Sequence, residues 1–281
     1  MFHITYNSLC GIASVNHQHV HCLYEQHVLY GQRTTFPLVP IEGVLVLSEG
    51  TGSGCVCISR FEIADGRVPG FAFDWDERAE CAHCAARGGG AARFVAYVLA
   101  VLDILFEMRI AHNMALCRVV RADETLVAPA SENGLQKLFK VSLVCYIFYI
   151  VYKLQYYSIW YCLRLVLILL QYICNPTSFQ CLCADAQVRA LVWPRKNSTV
   201  EDWEKHLDWY IAAVELLGMF TIKSKEAFDA LDEREIDAHL RANGAIEPAD
   251  FARVRAALCV RLAAIDSAPK ATPITSTPDG K

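Results

Sequence analysis

Acidic residues are missing from a long internal stretch of this 281-residue chain. Between Asn133 and Ala184 there is no Asp or Glu, although 30 occur in the whole sequence. Basic residues are no more abundant. Lys and Arg number 26, the formal net charge is −4, and no basic excess exists with which to grip a nucleic-acid backbone. Nucleic acid is thereby excluded as the main partner. Charged residues reach only 20% against 54% hydrophobic, which excludes a disordered tail protein. No basic start, apolar run and small-residue cleavage site opens the sequence, so a secretory leader is not expected. The 13 cysteines, under 5% of this long chain, are then expected as reduced thiols in the cytoplasm. No internal repeat is present.

What is there reads first as β-structure. Phe2–Asn7 has strand propensity, Asn7-Ser8 with Gly11 reads as a turn, and Ser14–Tyr24 is a second extended run. Gly- and Pro-bearing sequence from Gly31 to Gly54 reads as a loop or linker. Cys55–Phe61 and Phe71–Trp75 are short strands about a turn at Asp65-Gly66. Apolar residues at helical spacing (Phe94, Val98, Val101, Leu102, Leu105) predict a helix over Ala91–Met108. Asn113–Arg121 and Gln187–Trp193 follow as strands, the second ended by a Trp193-Pro194-Arg195-Lys196 turn. Beyond Glu201 the pattern is mostly helical, with a break near Gly218–Lys223, and Ala268–Lys281 reads as a disordered tail.

The acid-free stretch is of a different composition. Seven of the 12 tyrosines lie between Tyr146 and Tyr172, and Leu143–Cys174 is apolar enough to raise the question of a membrane span. Lys153 and Arg164 interrupt it, and a charge at the bilayer centre costs about 2.5–3.5 kcal/mol. A different origin fits better. Lys140-Val141-Ser142 can be spelled AAG GTA AGT and Phe179-Gln180 can be spelled TTT CAG, a splice donor and a splice acceptor. Between them Phe, Ile, Leu, Tyr, Lys and Asn dominate, as in translated AT-rich non-coding sequence. The expectation is that 141–180 is intron read-through. A genuine membrane or interface segment and an ordinary buried helix pair are the alternatives.

The sharpest chemical motif is Ser14-Val-Asn16-His17-Gln-His19-Val-His21-Cys-Leu. On a strand, His17, His19 and His21 share one face, because side chains alternate with period two. Three imidazoles on one face can be polar surface filler, zinc ligands or a nucleophilic centre. Zinc sites usually add a Cys, Asp or Glu from elsewhere, and neighbouring strand positions alone make a poor tetrahedron. A neutral imidazole oriented through one nitrogen can attack phosphorus with the other. Lesser constellations have bland readings. Cys81-Ala-His-Cys84 has a knuckle spacing with no matching second pair, and Cys181-Leu-Cys183 abuts the splice-like junction. His112-Asn113 reads as a capped turn or a sugar contact. Arg195-Lys196 reads as a solvated strand end or a neutraliser of phosphate, and Trp203, Trp209 and Tyr210 as core.

His17-Gln-His19-Val-His21-Cys-Leu resembles the histidine-triad signature, with polar Gln18 where an apolar residue is usual. Four blocks in order extend the likeness: Tyr6–His17, Ile110–Asn113, Val188–Lys196 and Glu215–Lys223. Together they are similar to the GDP-D-glucose phosphorylases, relatives of the plant GDP-L-galactose phosphorylases. The likeness covers most of residues 2–120 and 184–265.

The resemblance implies an α+β fold: the C-terminal part of a histidine-triad-like antiparallel sheet, then a second mixed α/β domain. In that fold the triad strand comes late, so the preceding strands and helix are expected to be missing. The implied division is 1–38 for the triad-bearing part, 39–54 a linker, 55–266 a C-terminal domain interrupted by 141–180, and 267–281 a tail. His19 is implied as nucleophile, with His17 orienting it and His21 on phosphate or the leaving oxygen. Ser14 would hold the α-phosphate, with Asn16 and Gly11 lining the site. The substrates implied are GDP-glucose and inorganic phosphate, with no metal and no other cofactor, and a homodimer is one arrangement open to it. His21 stands where the sugar-1-phosphate uridylyltransferases and the plant enzymes carry Gln, so a nucleotide hydrolase stays open. So does a truncated, non-catalytic product, membrane-bound only if 143–174 is genuine.

Overall fold

The computed structural model describes residues 2–8, 10–11, 20–24, 29–41, 58–64, 67–76, 90–119, 187–197, 211–222 and 224–267. Seven strands carry the fold: β1 (Phe2–Asn7), β2 (Val20–Tyr24), β3 (Leu38–Pro40), β4 (Ile58–Ile63), β5 (Phe71–Asp76), β6 (Ala111–Val119) and β7 (Gln187–Arg195). They form one sheet in the order β2-β1-β6-β7-β5-β4-β3, and every neighbouring pair is antiparallel. Helix α1 (Gly90–Glu107) precedes β6. After β7 come α2 (Ala213–Leu216), α3 (Lys225–Ala230), α4 (Glu233–His239) and α5 (Pro248–Ser267). The class is α+β.

Both faces of the central strands are covered, so Phe71–Trp75 of β5 and Arg189–Arg195 of β7 are buried without a break. On one face Phe71, Phe73, Trp75, Ala190 and Val192 pack under α1 and α5. α1 contributes Phe94, Val98, Val101 and Leu105, while α5 contributes Val254, Leu258 and Leu262 at four-residue spacing. On the other face Ala72, Ala115, Cys117, Leu191 and Trp193 meet Leu29, Phe36, Ile211, Leu217 and Leu240. Local chemistry sets the helix starts: Ser224 Oγ accepts from Ala227 N at 3.1 Å and Asp232 Oδ1 from Glu235 N at 2.8 Å.

One ion pair is sealed into the second face. Arg189 Nε and Nη2 donate to the two oxygens of Asp74, each at 2.8 Å, and both side chains are at most 5% exposed. Arg189 Nη1 also reaches the carbonyls of Gly31 (3.2 Å) and Arg33 (2.9 Å), and the guanidinium lies 5.9 Å from the Phe36 ring centre. Gln187 Nε2 donates to Asp74 Oδ2 at 3.1 Å. Every part of this pair is satisfied.

Several local expectations need correction. The stretch read as a loop from Gly31 holds a 3-10 turn at Tyr30–Gln32 and edge strand β3, which pairs Leu38 with Ile63. β7 does not turn at Trp193. It continues through Pro194 and Arg195, because Trp193 and Pro194 pair with Asn113 and His112 of β6. Its pairing with β5 stops at Val192, opposite Phe71, so the proline falls where only one neighbour remains. His112 and Asn113 are accordingly strand residues, not a capped turn. Strands from either side of 39–54 lie in the same sheet, β1 pairing with β6. The turn at Asp65-Gly66, the stretch 141–180, both cysteine pairs, Trp203, Trp209, Tyr210 and the tail from 268 lie outside the described residues.

Candidate functional site

The β1–β2 hairpin carries the described end of the histidine motif. Thr5 stands opposite His21 and His3 opposite Leu23, so these four share a sheet face. Through β6 that face continues to Ala115 and Cys117, the partners of Thr5 and His3. His21 is half-buried, while His3 and Thr5 are buried. Of the other expected site residues, Gly11 is described and buried, whereas Ser14, Asn16, His17 and His19 lie outside the described residues.

Gly11 is tied into a polar network beneath the end of β1. Asn113 Nδ2 donates to the Gly11 carbonyl at 2.8 Å and to Asn7 Oδ1 at 2.6 Å. Asn7 Oδ1 also accepts from Ala213 N at 3.0 Å, which couples α2 to β1. On the far side, Arg195 Nη1 donates to Asn113 Oδ1 at 2.6 Å and to the Ile211 carbonyl. Ser8 and His112 exchange two bonds, Ser8 N to the His112 carbonyl (2.9 Å) and His112 N to Ser8 Oγ (2.7 Å). Gly11 N then donates to the Ser8 carbonyl at 2.8 Å. The backbone three residues ahead of Ser14 is thus pinned by side chains from β6 and β7.

A side chain at position 11 does not fit. A Cβ there would lie 2.8 Å from the His112 carbonyl and 2.9 Å from Ser8 Oγ. Gly11→Ala is expected to cost about 1–3 kcal/mol, the usual range for overpacking. A urea midpoint unchanged from wild type would contradict this contact.

His112 is on the opposite sheet face, its ring 5.8 Å from that of Tyr6. Its Nδ1 bonds the Ile110 carbonyl at 3.1 Å, so the neutral ring carries its proton there. Nε2 is buried, with no hydrogen-bond partner among the described residues. Burial pushes the group down to about 4 from 6.5, against the smaller opposing effect of that hydrogen bond. The unfolded chain therefore binds a proton between pH 6.5 and 4 that the folded chain does not. His112 stabilises the fold above pH 6.5, and that stability is lost as pH falls towards 4, amounting to roughly 3 kcal/mol. The slope of unfolding free energy across this window should flatten in His112→Phe; an unchanged slope would count against it.

Burial pushes the Cys117 thiol up to about 12, out of reach as a nucleophile at neutral pH. No group of three or more His, Cys, Asp or Glu able to hold a metal occurs among the described residues. Sequence reasoning marks Gly11, His112-Asn113 and Arg195, but it misses Asn7. Asn7 gives only a turn signal, and its two partners, Asn113 and Ala213, are more than a hundred residues away. Arg195, read as a solvated strand end or a phosphate neutraliser, is 1% exposed, which removes the first reading. Compared with protein-family models, curated proteins and solved structures, the chain matches none of them.

Proposed function

We propose that this chain carries the catalytic strand of a GDP-D-glucose phosphorylase, a cytoplasmic nucleotidyltransferase that converts GDP-glucose and phosphate to GDP and glucose 1-phosphate. The observation that carries the reading is the period-two spacing of His17, His19 and His21 on a segment whose described end is strand β2. In this reading His19 attacks the α-phosphorus. A P–N bond forms, the bond from that phosphorus to the bridging oxygen breaks, and glucose 1-phosphate leaves. Inorganic phosphate then attacks the guanylyl group, breaking the P–N bond and releasing GDP. His17 orients the nucleophile, His21 meets the phosphate or leaving oxygen, and Ser14, Asn16 and Gly11 line the α-phosphate site.

The pinned backbone at Gly11 supports this, because a nucleophile gains most from a lead-in that cannot wander. Cys10, Cys117 and Cys259 are free thiols. No helix among the described residues is long and apolar enough to cross a membrane. Product analysis is the test. GDP-glucose with phosphate should give GDP and glucose 1-phosphate in equal amounts, and omitting phosphate should stop turnover. Formation of GMP without any need for phosphate would replace this reading with a nucleotide hydrolase. Absence of either product would leave a non-catalytic chain.

A further inference from the structure

Arg195 is a buried cation that the described residues leave half-engaged. Nη1 is committed to Asn113 Oδ1 at 2.6 Å and to the Ile211 carbonyl, which fixes the plane of the guanidinium. Nε and Nη2 are buried, with no hydrogen-bond partner among the described residues. These two nitrogens form the edge that grips two oxygens of one oxyanion side by side. The titratable groups that sense its charge are Glu215 and His239. Glu215 does not close the edge: its Oε2 accepts from Ala212 N at 2.8 Å, and it forms no ion pair with Arg195. Burial holds the Glu215 carboxyl above the usual carboxylate range. His239 is pushed down to about 4 by burial and by the positive charge of Arg195, so it is neutral at pH 7. Burial lowers Arg195 only to about 10, and the guanidinium stays charged.

A buried charge with a free bidentate edge calls for an anion. We propose that the Nε–Nη2 edge of Arg195 seats a phosphate oxyanion, either inorganic phosphate or the phosphate of a nucleotide. Only the choice of phosphate rests on the phosphorylase reading; the need for an oxyanion rests on the geometry. Because Nη1 holds Asn113, and Asn113 holds the Gly11 carbonyl, an occupied seat stiffens the backbone that leads into the histidine motif.

The test uses the full chain labelled with nitrogen-15 in arginine, with the Nε–H resonance of Arg195 assigned through its backbone. Titration with inorganic phosphate, and separately with GDP, should move that resonance and slow its exchange with water, whereas chloride at matched ionic strength should not. Arg195→Lys should weaken the bound oxyanion at least about tenfold, because an ammonium cannot present two parallel donors. Lys196→Ala, at the neighbouring exposed position, should bind as wild type. A response to phosphate identifies the free ion as a source, and a response to GDP alone identifies the nucleotide. An Arg195 resonance indifferent to both overturns the proposal, and the wild-type spectrum is sufficient for that outcome even if Arg195→Lys fails to fold. Phosphate binding without GDP-glucose turnover keeps this seat and removes the phosphorylase. Turnover with unchanged KM values for both phosphate and GDP-glucose in Arg195→Lys does the reverse.

Discussion

Replacing His19 by Ala should lower GDP-glucose turnover by at least about a thousandfold, because the proposed reaction passes through a covalent bond to that imidazole. The loss should fall on kcat, with GDP-glucose still bound, since the nucleophile contributes to the reacting bond rather than to holding guanosine. His17→Ala and His21→Ala remove orientation and phosphate contacts, and each should cost less than the loss of His19. A second readout is independent of rate. GDP-glucose labelled at the α-phosphate should leave acid-labile label on the wild-type protein in the absence of phosphate, and none on His19→Ala. Near-normal turnover in that variant, or label retained by it, would remove His19 from the mechanism.

The largest stability effect is expected at Asp74. Asp74→Ala leaves the Arg189 guanidinium, 3% exposed, with two carbonyls and no counter-charge. Removing one member of a buried pair costs about 3–5 kcal/mol, because the remaining charge is stranded in the core. Asp74→Asn keeps one acceptor for Arg189 and should fall between. The exposed Lys225–Asp229 pair on α3 is the control: Asp229→Ala should cost no more than about 0.5 kcal/mol. Urea unfolding monitored by tryptophan fluorescence measures all three. A loss below about 1 kcal/mol for Asp74→Ala would mean that Arg189 finds water or another partner, contrary to the sealed geometry.

Legibility in the sequence follows the range of the forces involved. β1, β5, β6 and α1 can be read to within two residues of their ends, because alternation and helical spacing are local signals. β3 escapes because three residues between Gly31 and Gly43 carry too little pattern. The end of β7 misleads because Pro194 is a local stop signal, and only the pairing of His112 with Pro194 shows that the strand goes on. The polar network is half legible. Gly11, Asn113 and Arg195 each stand out for reasons of type or motif, but their mutual bonds join positions up to 102 residues apart, which no window of sequence displays. The orphaned edge of Arg195 belongs to the same class: a cation looks alike on paper whether water or protein surrounds it.

The register between β6 and β7 has a consequence for how this gene can be read. Val119 and Gln187 are partners across the ladder, so the chain leaves the sheet and re-enters it at adjacent points. The 67 residues between them include the 40 of the splice-like segment 141–180. For flexible chain, closing 67 residues instead of 27 costs only about 0.8 kcal/mol more. Messages with and without those codons would therefore encode the same β6–β7 ladder at nearly equal cost. Were both messages made, fold stability would exert almost no selection between them, and any quality control that told them apart would have to act on the RNA or on the segment itself.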